Sequence, residues 1–422
     1  MIPENSRRNY PLLLASQFLG AFGDNFLLAA ILSPLTYLLR EGTINEQFVS
    51  SQNAHFSEVF FVPFLLLAPL AGYLNDRYPK TTWLAGGNLL KLLGTLLGLV
   101  GIIIHKNDYS GGVAWQLTGY AIVGIGACMY SPAKYGILPE VVSSDRLVKA
   151  NGTVEMLTLV AILGGLAGGA VLYDNVRSMI PCYLVSVMLY LLALAFNLFM
   201  RRTPHNEGCL LGDSFMAFFR SLGTLVSHRR LGRILLGCAV FWFAGAALRN
   251  NLQGWGLELF RAVGIQEITN EKLALLKALL VVGIVSGSML AGQLHRIGDL
   301  SWTRRYGVLM ALSILGLGLC QTSLGLWGAG ALLLVTGIFA GLLIVPLNAA
   351  LQSECDQGSL GKTVAVQNFC DYAAMLVGAG FLSLLSHLGQ DPARIFVWLA
   401  VALALIALAL RVPTLMGHLR RE

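Results

Sequence analysis

The stretch Gly72-Tyr73-Leu74-Asn75-Asp76-Arg77-Tyr78-Pro79-Lys80 ends one long apolar run, residues 53–75, and leads into a second, residues 82–104. Each run is long enough to cross the hydrocarbon core of a bilayer as a helix, which takes about 20 residues. The connection carries one acidic and two basic side chains. The stretch therefore predicts a tight, charged turn between two membrane helices.

The whole chain has the composition of a membrane protein. Of its 422 residues, 56% are hydrophobic and 12% are charged, and the mean hydropathy is +0.68. Soluble domains average about 45–50% apolar and about 25% charged residues, so this chain cannot cover a globular surface with charge. A soluble enzyme and a disordered tail protein are excluded, and so is a porin-like barrel, whose strands alternate.

Apolar runs separated by short polar breaks predict an all-α protein with twelve membrane helices in two sets of six. The first set lies at 11–39, 53–75, 82–104, 113–138, 148–173 and 178–200, and the second at 231–257, 273–295, 304–321, 325–353, 361–388 and 391–411. The longest polar stretch separates the sets and includes a weakly amphipathic segment at 215–226. We predict an N-terminal domain at 1–200, a linker at 201–230 and a C-terminal domain at 231–422.

The basic residues predict the orientation of these helices. Nineteen of the 29 lysines and arginines fall on one side of the predicted spans, six fall on the other, and four lie deeper inside. Basic residues concentrate on the cytoplasmic side of membrane proteins. The sequence thus predicts cytoplasmic termini and a cytoplasmic linker, and we interpret the net charge of +7 as topology rather than as a nucleic-acid surface.

The two sets of helices resemble parallel repeats. Pro132 of the fourth span is echoed by Pro346, while Asn151 and Glu155 of the fifth are echoed by Asn368 and Asp371. The near-constant separation favours duplication of a six-helix unit, the layout of major facilitator transporters.

The stretch at residues 72–80 also resembles the major facilitator signature G-x-L-x-D-R-x-G-[RK]-[RK]. Pro79 replaces its second glycine, and Thr81 its last basic residue. The resemblance implies that Asp76, Arg77 and Lys80 tie helix ends together and bias gating. The alternative is a solvated turn between two helices.

Ionisable residues inside the predicted spans are candidates for lining a transport path. Eight lie more than three positions inside: Asp24, Glu58, Lys91, Lys134, Glu155, Arg249, Lys277 and Asp371. Each would cost roughly 3 kcal/mol at the bilayer centre if it faced lipid, so they must face a cavity or one another. Four are acidic and four basic, which suits internal pairing. We expect Glu58 and Lys277 to snorkel, and Lys91 and Lys134 to be partners of Glu155 or Asp371.

Asp24 and Arg249 are the strongest candidates for substrate contact. Each lies well inside the first span of its set, which lines the central cavity in this architecture. A carboxylate suits an ammonium group, and a guanidinium offers a fixed fork for phosphate oxygens. Together they suit a zwitterionic or anionic phospholipid headgroup. The alternatives are a gating salt bridge and a purely structural ion pair.

Small residues predict close helix contacts in the fifth and eighth spans. Gly164, Gly165, Gly168 and Gly169 form overlapping GxxxG spacings, and Gly283 with Gly287 forms another. The glycines fit either static packing or sliding of domains.

Catalytic and cofactor signatures fail one by one. Gly361-Lys362-Thr363 lacks the first glycine and the preceding strand of a phosphate-binding loop. Neither a G-x-S-x-G elbow nor an acyltransferase H-x-x-x-x-D motif occurs, and the seven cysteines show no zinc spacing. We expect no enzymatic activity, no cofactor and no metal.

Several segments resemble the bacterial lysophospholipid transporter family of the major facilitator superfamily. The most specific is Tyr130-Ser131-Pro132-Ala133-Lys134-Tyr135-Gly136-Ile137-Leu138, and the others lie at residues 17–25, 147–155, 241–249, 345–349 and 365–368. Two features depart from the family pattern: Asp371 stands where a glutamate is usual, and the second span with Glu58 and Pro63 is less similar.

The resemblance implies a flippase of the inner bacterial membrane, and we expect it to act as a monomer. It would move lysophosphatidylethanolamine and related lipids to the cytoplasmic leaflet, where an acyl-ACP synthetase/acyltransferase would reacylate them. The headgroup would contact Asp24, Asn25, Tyr130, Lys134, Asn151, Glu155, Arg249, Gln367, Asn368 and Asp371. Two alternatives are an exporter of a small amphipathic drug or metabolite and a noncatalytic anchor for the acyltransferase. Energy coupling stays open between ion-driven and downhill transport.

Overall fold

The computed structural model describes residues 8–44, 46–106, 108–203, 211–265, 270–319, 325–355 and 360–412, which form helices and turns with no β-strand among them. The helices are α1 (Asn9–Arg40), α2 (Glu46–Leu66), α3 (Ala68–Arg77), α4 (Lys80–Ile104), α5 (Tyr109–Gly136), α6 (Leu138–Val141), α7 (Leu147–Val176), α8 (Met179–Leu198), α9 (Leu211–Ser227), α10 (Leu231–Ala262), α11 (Asn270–Leu294), α12 (Thr303–Leu319), α13 (Gly325–Glu354), α14 (Leu360–His387) and α15 (Pro392–Ala409).

Ten helices in the described part of the chain are long and apolar enough to cross a membrane, and the bent pair α2–α3 would make eleven. That pair bends by 58° at Leu67, between Pro63 inside α2 and Pro69 in the first turn of α3. Both prolines lack the backbone N–H that would continue the hydrogen-bond ladder. The remaining predicted span, 304–321, corresponds to α12, whose 17 residues are at the lower limit for crossing.

The chain divides into two compact units. Unit 1 contains Met1–Ser143, Leu157–Ser221 and Asp356–Phe369. Unit 2 contains Ser144–Met156, Leu222–Cys355 and Cys370–Glu422. The first residues of α7 thus belong to unit 2, and the first residues of α14 to unit 1. Compactness and sequence repeats define domains differently, so the division at residues 201–230 stays a prediction.

Unit 1 has a core built between α1, α2, α4, α5 and α8. Ile31, Phe56, Ile102, Val123 and Tyr190 are fully buried in it. Partly buried aromatic and aliphatic side chains surround this cluster. Polar side chains in the same helices must therefore find partners within the unit.

Glycines allow the closest helix crossings in both units. In unit 1 a Cβ at Gly165 or Gly169 would overlap a backbone carbonyl of α1. In unit 2 a Cβ at Gly283 or Gly287 would overlap a carbonyl of α13. The predicted close contacts of the GxxxG glycines are confirmed, and such small faces let helix backbones approach closely. Their role in sliding stays a prediction.

The linker contains a helix. Helix α9 includes the predicted amphipathic segment 215–226, and its Phe218 is buried edge-on against Phe369. Residues 204–210 of the linker and both chain termini, 1–7 and 413–422, lie outside the described residues.

Candidate functional site

The core of unit 1 encloses an ion pair between α1 and α4. The Lys91 ammonium nitrogen lies 2.7 Å from a carboxylate oxygen of Asp24, and the two residues are 3% and 8% exposed. Tyr190 donates a hydrogen bond of 2.8 Å to the other carboxylate oxygen. Tyr120 donates one of 3.2 Å to the backbone carbonyl of Asp24. The carboxylate is thus held on both oxygens.

The local sequence makes room for this pair. Gly20 and Gly23 flank Asp24 on α1, and a Cβ at Gly23 would lie 3.0 Å from the Tyr190 ring. A Cβ at Gly20 would lie 3.6 Å from the Lys91 ammonium nitrogen. Since both positions lack a side chain, partners from α4 and α8 reach the carboxylate. The prediction that Lys91 pairs with Glu155 or Asp371 is wrong. Packing of α4 within unit 1 places the Lys91 ammonium beside Asp24 of α1.

Aromatic rings and amides complete the surroundings of Lys91. Its ammonium nitrogen lies 5.4 Å from the Tyr130 ring centroid and 5.9 Å from that of Tyr190, within range of a cation–π attraction. The Tyr130 hydroxyl shares a 3.1 Å hydrogen bond with Ser16. Ser16 is also hydrogen-bonded to the Asn197 amide at 2.9 Å. The site combines one acid, one base and several neutral polar groups.

The other predicted site residues of unit 1 lie in different settings. Asn25 donates to the carbonyl of Ala21 in its own helix. The Lys134 ammonium nitrogen lies 4.3 Å above the Tyr135 ring, and Asn368 donates to Ser131 at 2.9 Å. Gln367 is buried.

Unit 2 holds a second buried polar cluster. Asn348 of α13 donates to the Glu155 carboxylate at 3.3 Å. One turn away on both helices, the Asn151 and Gln352 amides exchange two hydrogen bonds of 2.9 Å each. A reciprocal amide pair therefore connects the start of α7 to α13. The Glu155 carboxylate lies beside the Asn348 amide in the same interface.

Arg249 and Asp371 also belong to unit 2, with opposite exposures. Asp371 is 6% exposed, whereas Arg249 is exposed near the middle of α10. The carboxylate of Asp24 is already occupied by Lys91 and Tyr190. Lys91 is thus the counter-charge of Asp24 within unit 1, and a direct interaction of Asp24 with Arg249 stays a prediction.

The charged turn at 72–80 caps a distant helix. One Asp76 oxygen accepts the backbone N–H of Gly361 at 2.8 Å, and the other accepts that of Lys362 at 3.1 Å. These N–H groups belong to the first turn of α14, where helices have unsatisfied donors and a partial positive charge. A Cβ at Gly72 would lie 3.0 Å from the Lys362 Cα, so the backbones are in close contact.

The two basic residues of the turn are placed differently. Lys80 is 4% exposed and lies 2.5 Å from the Glu140 carboxylate. Burial raises the pKa of Glu140, and the neighbouring Lys80 ammonium opposes that shift. Arg77 is half-buried at the end of α3. The predicted trio is therefore one helix cap, one buried ion pair and one partly buried arginine.

Sequence reasoning missed Tyr120, Tyr190, Asn348 and Gln352 as site residues. Each is a buried polar side chain in a predicted span. An uncharged polar residue gives a weaker signal than a charge, although Asn348 lies inside one of the family-like segments.

The sequence matches a family model and several proteins of known name. The family model for the Major Facilitator Superfamily matches residues 13–379. The chain belongs to the Major Facilitator Superfamily. As a major facilitator, the chain has the predicted fold, and the predicted resemblance is confirmed by relatives in bacteria. The Lysophospholipid transporter LplT of Photorhabdus laumondii is 34% identical over 388 residues, which cover 90% of this chain and 89% of that protein. The protein of the same name from Klebsiella pneumoniae is 33% identical and covers 94% of both chains.

Solved structures agree with this major facilitator fold. The Escherichia coli fucose:proton symporter FucP superposes with a TM-score of 0.74 at 16% identity, covering 97% of this chain and 99% of that one. The human organic anion transporter MFSD10 superposes with a TM-score of 0.73 at 15% identity, covering 97% and 100%. At these identities the likeness concerns the fold alone.

Proposed function

We propose that this major facilitator transports lysophospholipids across the membrane. The observation that carries the proposal is the 34% identity, over 90% of the chain, to a relative named a lysophospholipid transporter. Buried charge within the spans supports it. A buried ion pair such as Asp24–Lys91 adds little stability by itself, and a polar path through the membrane gives a reason for its presence.

The headgroup alone needs that polar path. An acyl chain can stay in hydrocarbon while the headgroup crosses, so we propose alternating access with lateral exchange of the chain. In the course of transport the headgroup interacts with Asp24, Asn25, Tyr130 and Lys134 in unit 1, and with Arg249 in unit 2. The buried amides and acids Asn151, Glu155, Gln367, Asn368 and Asp371 serve the cytoplasmic half of the path.

The charged turn supplies the gating device in this proposal. Asp76 holds the first turn of α14 through two backbone hydrogen bonds. Release of these bonds would free the helix end, and their formation would fix it. Lys80 with Glu140, and Arg77 at the end of α3, keep the turn in place.

The setting of the transporter follows from the same proposal. The chain is a multi-pass membrane protein, and we place it in the inner membrane because of its likeness to the bacterial lysophospholipid transporters. We place the termini and the linker on the cytoplasmic side because the basic residues concentrate there. It acts as a monomeric carrier and leaves reacylation to an acyl-ACP synthetase/acyltransferase on the cytoplasmic side.

Vesicles that contain the purified protein test the proposal. Fluorescent lysophosphatidylethanolamine should cross faster than in empty vesicles, and Asp24→Ala and Arg249→Ala should both lose most of that rate. Exposed residues provide controls: Asp145→Ala for the acid and Arg261→Ala, on the same helix as Arg249, for the base. Wild-type rates in both site variants would refute the headgroup assignment. Competition by soluble amphipathic compounds with indifference to lysolipids would indicate a small-molecule exporter instead.

A further inference from the structure

Helix α9 in the linker has two different faces. Phe218 and Leu225 are buried, at 0% and 9% exposure. Met216, Phe219 and Val226 are 65%, 44% and 57% exposed. Their spacing of three and seven residues puts these three on one side of the helix. The side turned away from the protein is thus apolar over nearly three turns.

The described charged side chains around this face are of one sign. Among the described side chains at 201–203 and 216–233, every ionisable one is basic. Arg230 is buried and bidentate to Glu354, so it serves the fold of unit 2. The exposed arginines are Arg201, Arg202, Arg220 and Arg229.

The chain itself holds α9 close to the bilayer. Helix α9 ends at Ser227, four residues before α10 begins, and four residues span at most about 14 Å. On the other side, Leu198 and Phe199 are 69% and 64% exposed at the end of α8, and Arg201 follows. Such a switch from exposed apolar to basic side chains is typical of the level at which a helix leaves the hydrocarbon.

We propose that α9 lies in the headgroup layer of the bilayer that the chain spans and binds anionic phospholipid. Met216, Phe219 and Val226 would enter the boundary between headgroups and acyl chains. Arg220 and Arg229 would lie among the lipid phosphates. An apolar face with basic neighbours is what interfacial helices present to anionic membranes. A partner protein is the less favoured occupant, because the short connection to α10 already keeps the helix close to the membrane.

Fluorescent labels at two adjacent positions test the proposal. A Cβ at Gly223 meets nothing within 4 Å, and this position lies among the exposed apolar residues. Thr224 is also exposed but is turned by about 100° around the helix axis. Gly223→Cys and Thr224→Cys would be labelled in a chain whose seven native cysteines are serine, reconstituted in phosphatidylcholine vesicles with or without phosphatidylglycerol.

A spin-labelled phospholipid should quench the label at 223 more than that at 224, and more with phosphatidylglycerol present. Iodide in the water should show the reverse order. Arg220→Gln should lower the ratio of membrane-bound to free helix about fivefold in the anionic vesicles. Equal lipid quenching at both positions would overturn the proposal. Protection of position 223 only after addition of purified acyltransferase would also overturn it, in favour of a protein-docking surface. Neither readout depends on lysolipid transport.

Discussion

The Lys91 ammonium nitrogen lies 2.7 Å from the Asp24 carboxylate, and both side chains are buried within unit 1. Burial of two charges costs desolvation energy that their mutual attraction repays only with good geometry and extra hydrogen bonds. Tyr190 supplies one such bond to Asp24. The pair is therefore a poor candidate for added stability and a good candidate for a function that needs charge inside the membrane.

Removal of one partner of this pair should destabilise the protein. Lys91→Met leaves the Asp24 carboxylate buried without its counter-charge, at a cost of about 3–5 kcal/mol. The double variant Asp24→Asn/Lys91→Met should recover most of the stability but not transport. Thermal unfolding and lysolipid flipping are the two measurements. Lys106→Met, exposed just beyond α4, is the control. A double variant as unstable as Lys91→Met would show that the two charges are not coupled.

Substitution of Arg249, unlike that of Lys91, should affect transport without lowering the stability of the protein. Because its side chain is exposed, Arg249→Ala should change the free energy of unfolding by no more than about 0.5 kcal/mol. Transport should fall strongly. Arg249→Lys keeps the charge but not the planar fork, so partial activity is expected. A loss of transport that merely follows a loss of thermal stability would contradict a role in substrate contact.

Loss of the Asp76 carboxylate should loosen the start of α14. Asp76→Ala removes both acceptors, with a cost of about 1 kcal/mol for a lost cap. Asp76→Asn keeps one amide oxygen as an acceptor, so its loss of stability should lie between those of the wild type and Asp76→Ala. Hydrogen exchange at the Gly361 and Lys362 amides should accelerate in the order Asp, Asn, Ala. The start of α15, which Asp391 caps through the Arg394 N–H, is the internal control. Unchanged exchange at Gly361 and Lys362 would rule out the cap.

The amide pair Asn151–Gln352 should show energetic coupling. Each single substitution by alanine removes the two hydrogen bonds that the pair exchanges in a buried setting, at a cost of about 1–3 kcal/mol. The double variant should cost less than the sum of the single variants, which a double-mutant cycle of unfolding free energies measures. Asn175→Ala should be neutral, since that exposed side chain bonds only within its own helix. Strict additivity would mean that the two amides act independently.

Much of the membrane architecture could be predicted because it depends on local composition. Apolar runs gave the helices, since each must hide its backbone polar groups within itself. The charges of Asp24 and Lys91 stood out in those runs because intramembrane charge is costly. The glycines of the fifth and eighth spans indicated close helix crossings, because their spacing along the sequence places small residues on one face of a helix.

Partners could not be predicted in the same way. Asp24 and Lys91 are 67 positions apart, and Asp76 and Gly361 are 285 apart. Which acid meets which base depends on how helices pack, and four acids with four bases allow many pairings. Lys91 was expected to pair with Glu155 or Asp371, yet it pairs with Asp24, and Glu155 accepts a hydrogen bond from the Asn348 amide. Tyr190 and Gln352 carry no charge, so nothing in the spans singled them out.

The sequence by itself determined that the chain crosses a membrane many times, how the basic residues sort by side, and which buried charges require an explanation. Only the tertiary structure decided that Lys91 neutralises Asp24, that Asp76 caps α14, and that α9 turns an apolar face away from the protein. The physical reason is that insertion of a segment into the membrane depends on the composition of that segment alone. Ion pairs, caps and exposed faces depend instead on distances between segments far apart in the chain.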